Sequence, residues 1–210
     1  MKYKVMIVED QTMHRELFEL RIQASEHFEV ALSIDNAALA DVYCLRFPVD
    51  LILMDVVTRN GESGLDAAER IKRTFPQIKI IIVTSMPECS YLSRAREIGV
   101  ESFWYKEEQR ESLLDMMERT MAGESVYPDA TPELQLGLAS SYKFTDRELE
   151  VLREMTGGDT NQEIAERLHM SVATVKTHIL NMLEKTGFRN RTELAVRARE
   201  SGLVILNRKN

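Results

Sequence analysis

Glu9, Asp10, Asp55, Thr84 and Lys106 each stand at the end of an apolar or aromatic run, YKVMIV (3–8), LILM (51–54), KIIIV (79–83) and ESFWY (101–105). Carboxylates packed together repel unless a cation neutralises them, and a small all-oxygen site suits Mg²⁺, which keeps several of its waters. A carboxylate beside a divalent cation can attack phosphorus and form an aspartyl-phosphate. The Thr84 hydroxyl offers a hydrogen bond to a phosphoryl oxygen, and the Lys106 ammonium is a point cation for the same group. Taken singly, each has an ordinary structural use: Thr84 as a cap, Lys106 as a solvated charge, Glu9-Asp10 as the start of a helix. Five such groups at strand ends point instead to a phosphoryl-transfer site, in which Glu9, Asp10 and Asp55 share a divalent cation and one carboxylate is the nucleophile.

That convergence needs a scaffold, and the first 120 residues supply one. YKVMIV, FEVALSI (28–34), DLILMDV (50–56), KIIIVTS (79–85) and ESFWYK (101–106) alternate with helical stretches near 12–24, 36–46, 64–74, 90–98 and 108–122. Five β/α repeats imply a parallel sheet with helices on both faces. A flavodoxin-like order sets strand one beside strand three, so the carboxylates meet at the carboxyl edge, where such sheets bind ligands. No GxGxxG follows the first strand, which excludes the usual dinucleotide fingerprint.

After Ala122 the alternation lapses. Residues 123–142 read as a linker with a short helix near 131–139, between a first domain at 1–122 and a second at 143–210. The second domain reads as all-helical, with four helix starts. Thr145-Asp-Arg-Glu148 and Thr160-Asn-Gln-Glu163 are capping boxes, and Ser171 and Asn190 are N-caps. Gly157-Gly158, Gly187 and Gly202 mark helix ends. Within 160–187, Ile164, Ala165 and Leu168 give one helix an inner face, and Val175, Ile179, Met182 and Leu183 give the next one its own. This is helix-turn-helix spacing. The outer face of the second helix carries Ala173, Thr174, Thr177, Leu180 and Asn181 with Lys176 on its flank. Small and hydroxyl residues with one long cation suit a helix entering the major groove. A solvated face on an ordinary bundle is the structural alternative.

Charge follows the same division. The first 142 residues carry 15 Lys and Arg against 24 Asp and Glu, while residues 143–210 carry 12 against 10. From Ser171 onward the balance is 8 basic to 3 acidic, so the two halves suit different partners. Cys44 and Cys89 show neither CxxC nor metal-ligand spacing, no apolar run is long enough for a membrane span, and a cytoplasmic setting is expected.

Two resemblances sharpen these readings. Residues 1–120 resemble the receiver domain of two-component response regulators, through IVED (7–10), LILMDV (51–56), IIIVTS (80–85) and FWYK (103–106). The resemblance implies phosphorylation of Asp55 by a sensor histidine kinase, Mg²⁺ held at Glu9 and Asp10, and Lys106 on the phosphoryl group. It also implies Thr84 and Phe103 as a switch pair. The chain departs from the receiver pattern in VVTRNGESG (56–64), which lacks the usual proline and brings its glycine one place late. It departs again at Lys106-Glu107, where Lys-Pro is usual.

Residues 144–206 resemble LuxR-type DNA-binding domains, through FTDRELEVL (144–152), NQEIAERL (161–168), SVATVKTHILNML (171–183) and RTELAVRA (191–198). That resemblance implies Lys176 and Thr177 at base edges or adjacent phosphates, Thr160, Asn161 and Thr174 near the DNA backbone, and Val196 on the dimer contact. Gln162 stands where the family often has Lys. The expected protein is a phosphorylation-controlled transcription regulator of the NarL/LuxR type, a homodimer on double-stranded DNA with no membrane partner. It is not an enzyme: haloacid-dehalogenase-like phosphatases use Asp-x-Asp, and position 57 is Val. The alternative is a DNA-binding regulator with a vestigial receiver that works without phosphorylation.

Overall fold

The computed structural model describes residues 2–85, 89–106, 112–129 and 131–204, without the side chains of 89 and 90. Glu107 and the expected helix start at 108 lie outside the described residues. The chain divides into two compact units near residue 130.

In the first unit, β1 (Tyr3–Val8), β2 (Phe28–Ile34), β3 (Leu51–Asp55), β6 (Lys79–Thr84) and β7 (Ser102–Tyr105) pair in parallel in the order β2-β1-β3-β6-β7. Each central strand is apolar at nearly every position because both faces are covered. Val5, Ile7, Leu51, Leu53, Ile81, Val83 and Trp104 pack with Phe18 and Ile22 of α1 (Thr12–Gln23) and with Leu113, Met116 and Met117 of α5 (Leu113–Met121). The alternate residues Met6, Val8, Ile52, Met54, Ile80 and Ile82 face the other side and are fully buried. There α3 (Gly64–Thr74) packs against β3 and β6, α2 (Ala40–Arg46) packs on α3, and α4 (Cys89–Ile98) meets α3 through the Arg94–Asp66 ion pair. A fully buried Leu or Ile contributes about 1.5–3 kcal/mol, so the sheet's two faces fix its register firmly.

Register then fixes the site. Val8 pairs with Met54, Asp55 with Val83 and Thr84 with Tyr105. The residues that follow each strand therefore emerge side by side at one edge.

The stretch after Asp55 forms a small hairpin. β4 (Val57–Thr58) pairs antiparallel with β5 (Glu62–Ser63) around Asn60 and Gly61, at φ +65° and +74°. Gly64, the late glycine, lies so close to the backbone that a Cβ there would sit 1.8 Å from the Asp55 carbonyl oxygen. Its N–H donates to Val56 O at 2.8 Å. The hairpin absorbs the extra residue while glycine keeps the close approach.

At the other edge, residues 125–127 run along β7. The Phe103 N–H donates to Val126 O at 2.9 Å, Val126 N–H to Ser102 Oγ at 3.2 Å, and the Tyr127 hydroxyl to Val100 O at 2.8 Å.

The second unit corrects one expectation. The helix expected near 131–139 is instead a hairpin of β8 (Gln135–Leu136) and β9 (Ala139–Ser140). Its two-residue turn begins at Gly137, φ +61°, where the primed turns favoured in hairpins place glycine. Leu136 and Ala139 are buried in the core of this unit, so part of the expected linker belongs to a folded body. That core is otherwise built by α6 (Asp146–Thr156), α7 (Asn161–Arg167), α8 (Val172–Thr186) and α9 (Arg191–Glu200). Both capping boxes form, and Ser171 and Asn190 cap α8 and α9. His169 at φ +53° makes the tight turn between α7 and α8, and Gly187 at φ +74° closes α8.

Candidate functional site

The edge of the first unit gathers the expected acids. One carboxylate oxygen from each of Glu9, Asp10 and Asp55 lies within 4.8 Å of the others. Glu9 is fully buried, Asp55 nearly so, and Asp10 half-buried. Lys106 reaches in from the end of β7, its Nζ 2.6 Å from Glu9 Oε2 and 2.9 Å from Asp55 Oδ2. Asp55 Oδ1 accepts from the Val56 N–H at 2.7 Å. Burial pushes the Asp55 carboxyl up to about 7, against the pull of Lys106. Asp10 is raised as well, by burial and then by Glu9. Burial opposes the charge on Lys106, but Asp55 and Glu9 together hold it above its ordinary value. Three carboxylates served by one ammonium leave an excess of negative charge on clustered oxygen ligands, which fits a hard divalent cation.

Thr84 is buried at the end of β6, and its carbonyl accepts the Lys106 N–H at 2.9 Å. Phe103 is buried on β7, two register positions before the Thr84 pairing. Its ring lies 5.1 Å from that of Tyr105 and 6.3 Å from that of Tyr127. Arg96 covers the outer face of Tyr127 at 4.8 Å, and burial pushes the Tyr127 hydroxyl up to about 12. Arg15 was not singled out by sequence. Its Nη1 donates to the Glu9 carbonyl at 2.7 Å, holding the β1–α1 turn that presents Glu9 and Asp10. No motif marks it, because its partner is a backbone atom.

The second unit presents the other expected set. Thr174, Lys176, Thr177, Leu180 and Asn181 are all exposed along one side of α8, while Val175, Ile179 and Met182 are buried on the opposite side. Leu180 is 56% exposed, an apolar residue facing outward from a packed helix. The Thr177 hydroxyl donates to Ala173 O at 3.0 Å and the Thr174 and Ser171 hydroxyls pair at 2.8 Å, so both hydroxyls lie tucked against the helix. Thr160 caps α7, its hydroxyl donating to Glu163 Oε2 at 2.8 Å. Asn161 follows, and its Oδ1 accepts from Arg191 Nη1 at 2.8 Å. Gln162 donates to Glu166 at 2.8 Å. Behind this face, buried Glu148 accepts from Lys185 Nζ at 2.6 and 2.8 Å, tying α6 to the end of α8. Burial opposes the Glu148 charge, but Lys185 and the Thr145 N–H hold its carboxyl below the usual range. On α9, Leu194 and Ala198 are buried and Val196 is 49% exposed.

Comparison with known proteins gives the same two parts. Residues 5–118 match the response regulator receiver domain, and residues 142–198 match the family described as bacterial regulatory proteins, luxR family. The chain is 31% identical to the response regulator protein VraR of Staphylococcus aureus, across 97% of this chain and 100% of that protein. It is 32% identical to VraR of Staphylococcus epidermidis over the same shares. Among solved structures, RcsB from Salmonella enterica serovar Typhimurium bound to a promoter with phosphomimetic BeF3− aligns at TM-score 0.61 and 20% identity, covering 93% of this chain and 98% of that one. The response regulator ChrA of a heme-sensing two-component system aligns at 0.52 and 21%, covering 96% and 98%. At these identities the likeness shows the fold. No helix among the described residues is long and apolar enough to cross a membrane.

Proposed function

We propose, for a chain that belongs to the two-component response regulators with a LuxR-type DNA-binding domain, that Asp55 accepts the phosphoryl group and thereby controls DNA binding by α8. The observation that carries this reading is the cluster of Glu9, Asp10 and Asp55 with Lys106 Nζ 2.9 Å from the Asp55 carboxylate.

In the proposed reaction an Asp55 carboxylate oxygen attacks the donor's phosphorus, the bond from phosphorus to the donor breaks, and the donor leaves with that electron pair. Glu9, Asp10 and Asp55 would hold Mg²⁺, which when bound offsets negative charge on the phosphoryl oxygens. Lys106 pulls the Asp55 carboxyl toward its ionised form, against burial, and then faces the new phosphoryl group. Thr84 and Phe103 respond as the switch. The donor we propose is a sensor histidine kinase. The exposed stripe of Met13, Leu17 and Leu20 on α1, next to the acidic edge, offers a protein donor an apolar surface. The complete acidic site speaks against a vestigial receiver.

On the DNA side we propose that Lys176, Thr177, Leu180 and Asn181 face base edges, and that Thr174, Thr160 and Asn161 lie near phosphates of a double-stranded site. The protein binds as a homodimer through Val196, in the cytoplasm. The DNA-binding part begins near residue 131, because the β8–β9 hairpin packs in its core.

Acetyl phosphate with Mg²⁺ tests the first step. The parent chain should be labelled in a base-labile, hydroxylamine-sensitive linkage, and omission of Mg²⁺ or Asp55→Asn should each abolish labelling. Equal labelling of Asp55→Asn overturns the assignment.

A further inference from the structure

We propose that Arg191 is a positioning residue for DNA binding, fixing the side-chain amide of Asn161 so that its NH₂ faces a phosphate of the duplex. The inference rests on the reading of α7 and α8 as the DNA-binding element and names a residue outside the groove-facing set.

Arg191 is the first residue of α9 and half-buried. Its Nη1 donates to Asn161 Oδ1 and its Nη2 to Asp159 O, both at 2.8 Å. The base of this clamp is buried and paired. Asp159 is buried, Arg167 sits 3.1 Å from its Oδ2, and Arg167 also pairs with Glu154 at 2.7 Å. A guanidinium has donors and no acceptor, so the atom it meets on Asn161 must be the amide oxygen. An amide has one accepting end and one donating end. With the oxygen engaged by Arg191, the Nδ2 hydrogens are the end left to face outward. Phosphate oxygens only accept, so this is the orientation that can bind DNA, and the flipped amide would set oxygen against oxygen. Two donor nitrogens of Arg191 are engaged inside the fold, so the role proposed for it is orientation of Asn161.

Phosphate contacts carry no sequence information, so the test needs no known site. Full-length chain treated with acetyl phosphate and Mg²⁺ is titrated into a short mixed-sequence duplex over a range of salt. A neutral hydrogen bond of about 1 kcal/mol corresponds to about fivefold in affinity. Asn161→Ala and Arg191→Gln should each weaken binding by about that factor, and the double variant should be no weaker than the worse single. The slope of log K against log salt should not change in any of them. Asn161→Asp keeps an acceptor for Arg191 but turns a negative oxygen outward. It should lose more affinity than Asn161→Ala without a lower melting temperature.

A slope reduced by about 0.9 in Arg191→Gln, the value for one phosphate, would make Arg191 itself a DNA contact and overturn the proposal. Additive losses, or Asn161→Asp binding as well as Asn161→Ala, overturn it too. If Arg191→Gln does not fold, the comparison of Asn161→Asp with Asn161→Ala decides alone. Failure of the parent chain to bind DNA at low salt would instead remove the DNA-binding reading, and the inference with it.

Discussion

A carboxylate that attacks phosphorus must be ionised when the donor arrives, and the burial of Asp55 works against that. Burial holds its carboxyl near 7 in the folded chain, while an unfolded Asp stays near its ordinary 3.8. Between these values the folded state keeps a proton that the unfolded state has lost. Stability of the metal-free chain therefore falls as pH rises through this window, by up to about 1.4 kcal/mol per pH unit. Asp55→Asn has no such proton to lose. We expect it to melt higher than the parent near pH 8 in chelator, with the gap narrowing toward about pH 5. Thermal melts at the two pH values check this, and a gap that widens at low pH would contradict it. The residues of this site were legible because each stands at or just past the end of a strand whose apolar run is plain in the sequence. Arg15 and Arg191 were not legible, since each meets a partner that only the folded backbone brings near.

The elements read from the sequence with the least success are those whose geometry is set from outside themselves. The β8–β9 hairpin has two residues per strand, too few to show a period. Its place depends on the end of α8, where the Leu138 N–H donates to Thr186 O at 2.9 Å. The main strands and the four helices of the second unit carry their own evidence, in apolar runs and in caps at both ends. Gly137 tests the hairpin's dependence on α8. A Cβ there would lie 2.2 Å from Thr186 O, and φ is +61°. Gly158 has a similar need for positive φ, at +88°, but open space around it. Gly158→Ala should therefore cost the conformational strain alone, about 1–2 kcal/mol. Gly137→Ala adds a backbone clash and should cost more, on the order of 3 kcal/mol. Urea titrations of the full chain, followed by helical circular dichroism, measure both. Equal costs would mean that the hairpin shifts freely away from α8.

At the scale of the whole molecule, the acidic first half and the basic C-terminal end suit a protein that senses with one unit and binds DNA with the other. One recognition helix covers few base pairs, so specificity calls for two copies on paired half-sites. The proposed twofold contact through α9 would bring each Val196 toward its mate. Val196→Glu should leave acetyl phosphate labelling intact and weaken binding to a two-site duplex by about tenfold or more, while a single half-site loses little. Equal losses on both duplexes would take α9 out of the dimer contact. The chain's one tryptophan, Trp104, is buried on β7 in the first unit. Its emission therefore follows the unfolding of that unit and is blind to the other, whereas far-ultraviolet ellipticity samples the helices of both. Two curves recorded on one sample then separate when the units unfold independently and coincide when they unfold as one. The placement of a single indole ring gives the protein an intrinsic optical label for half of itself.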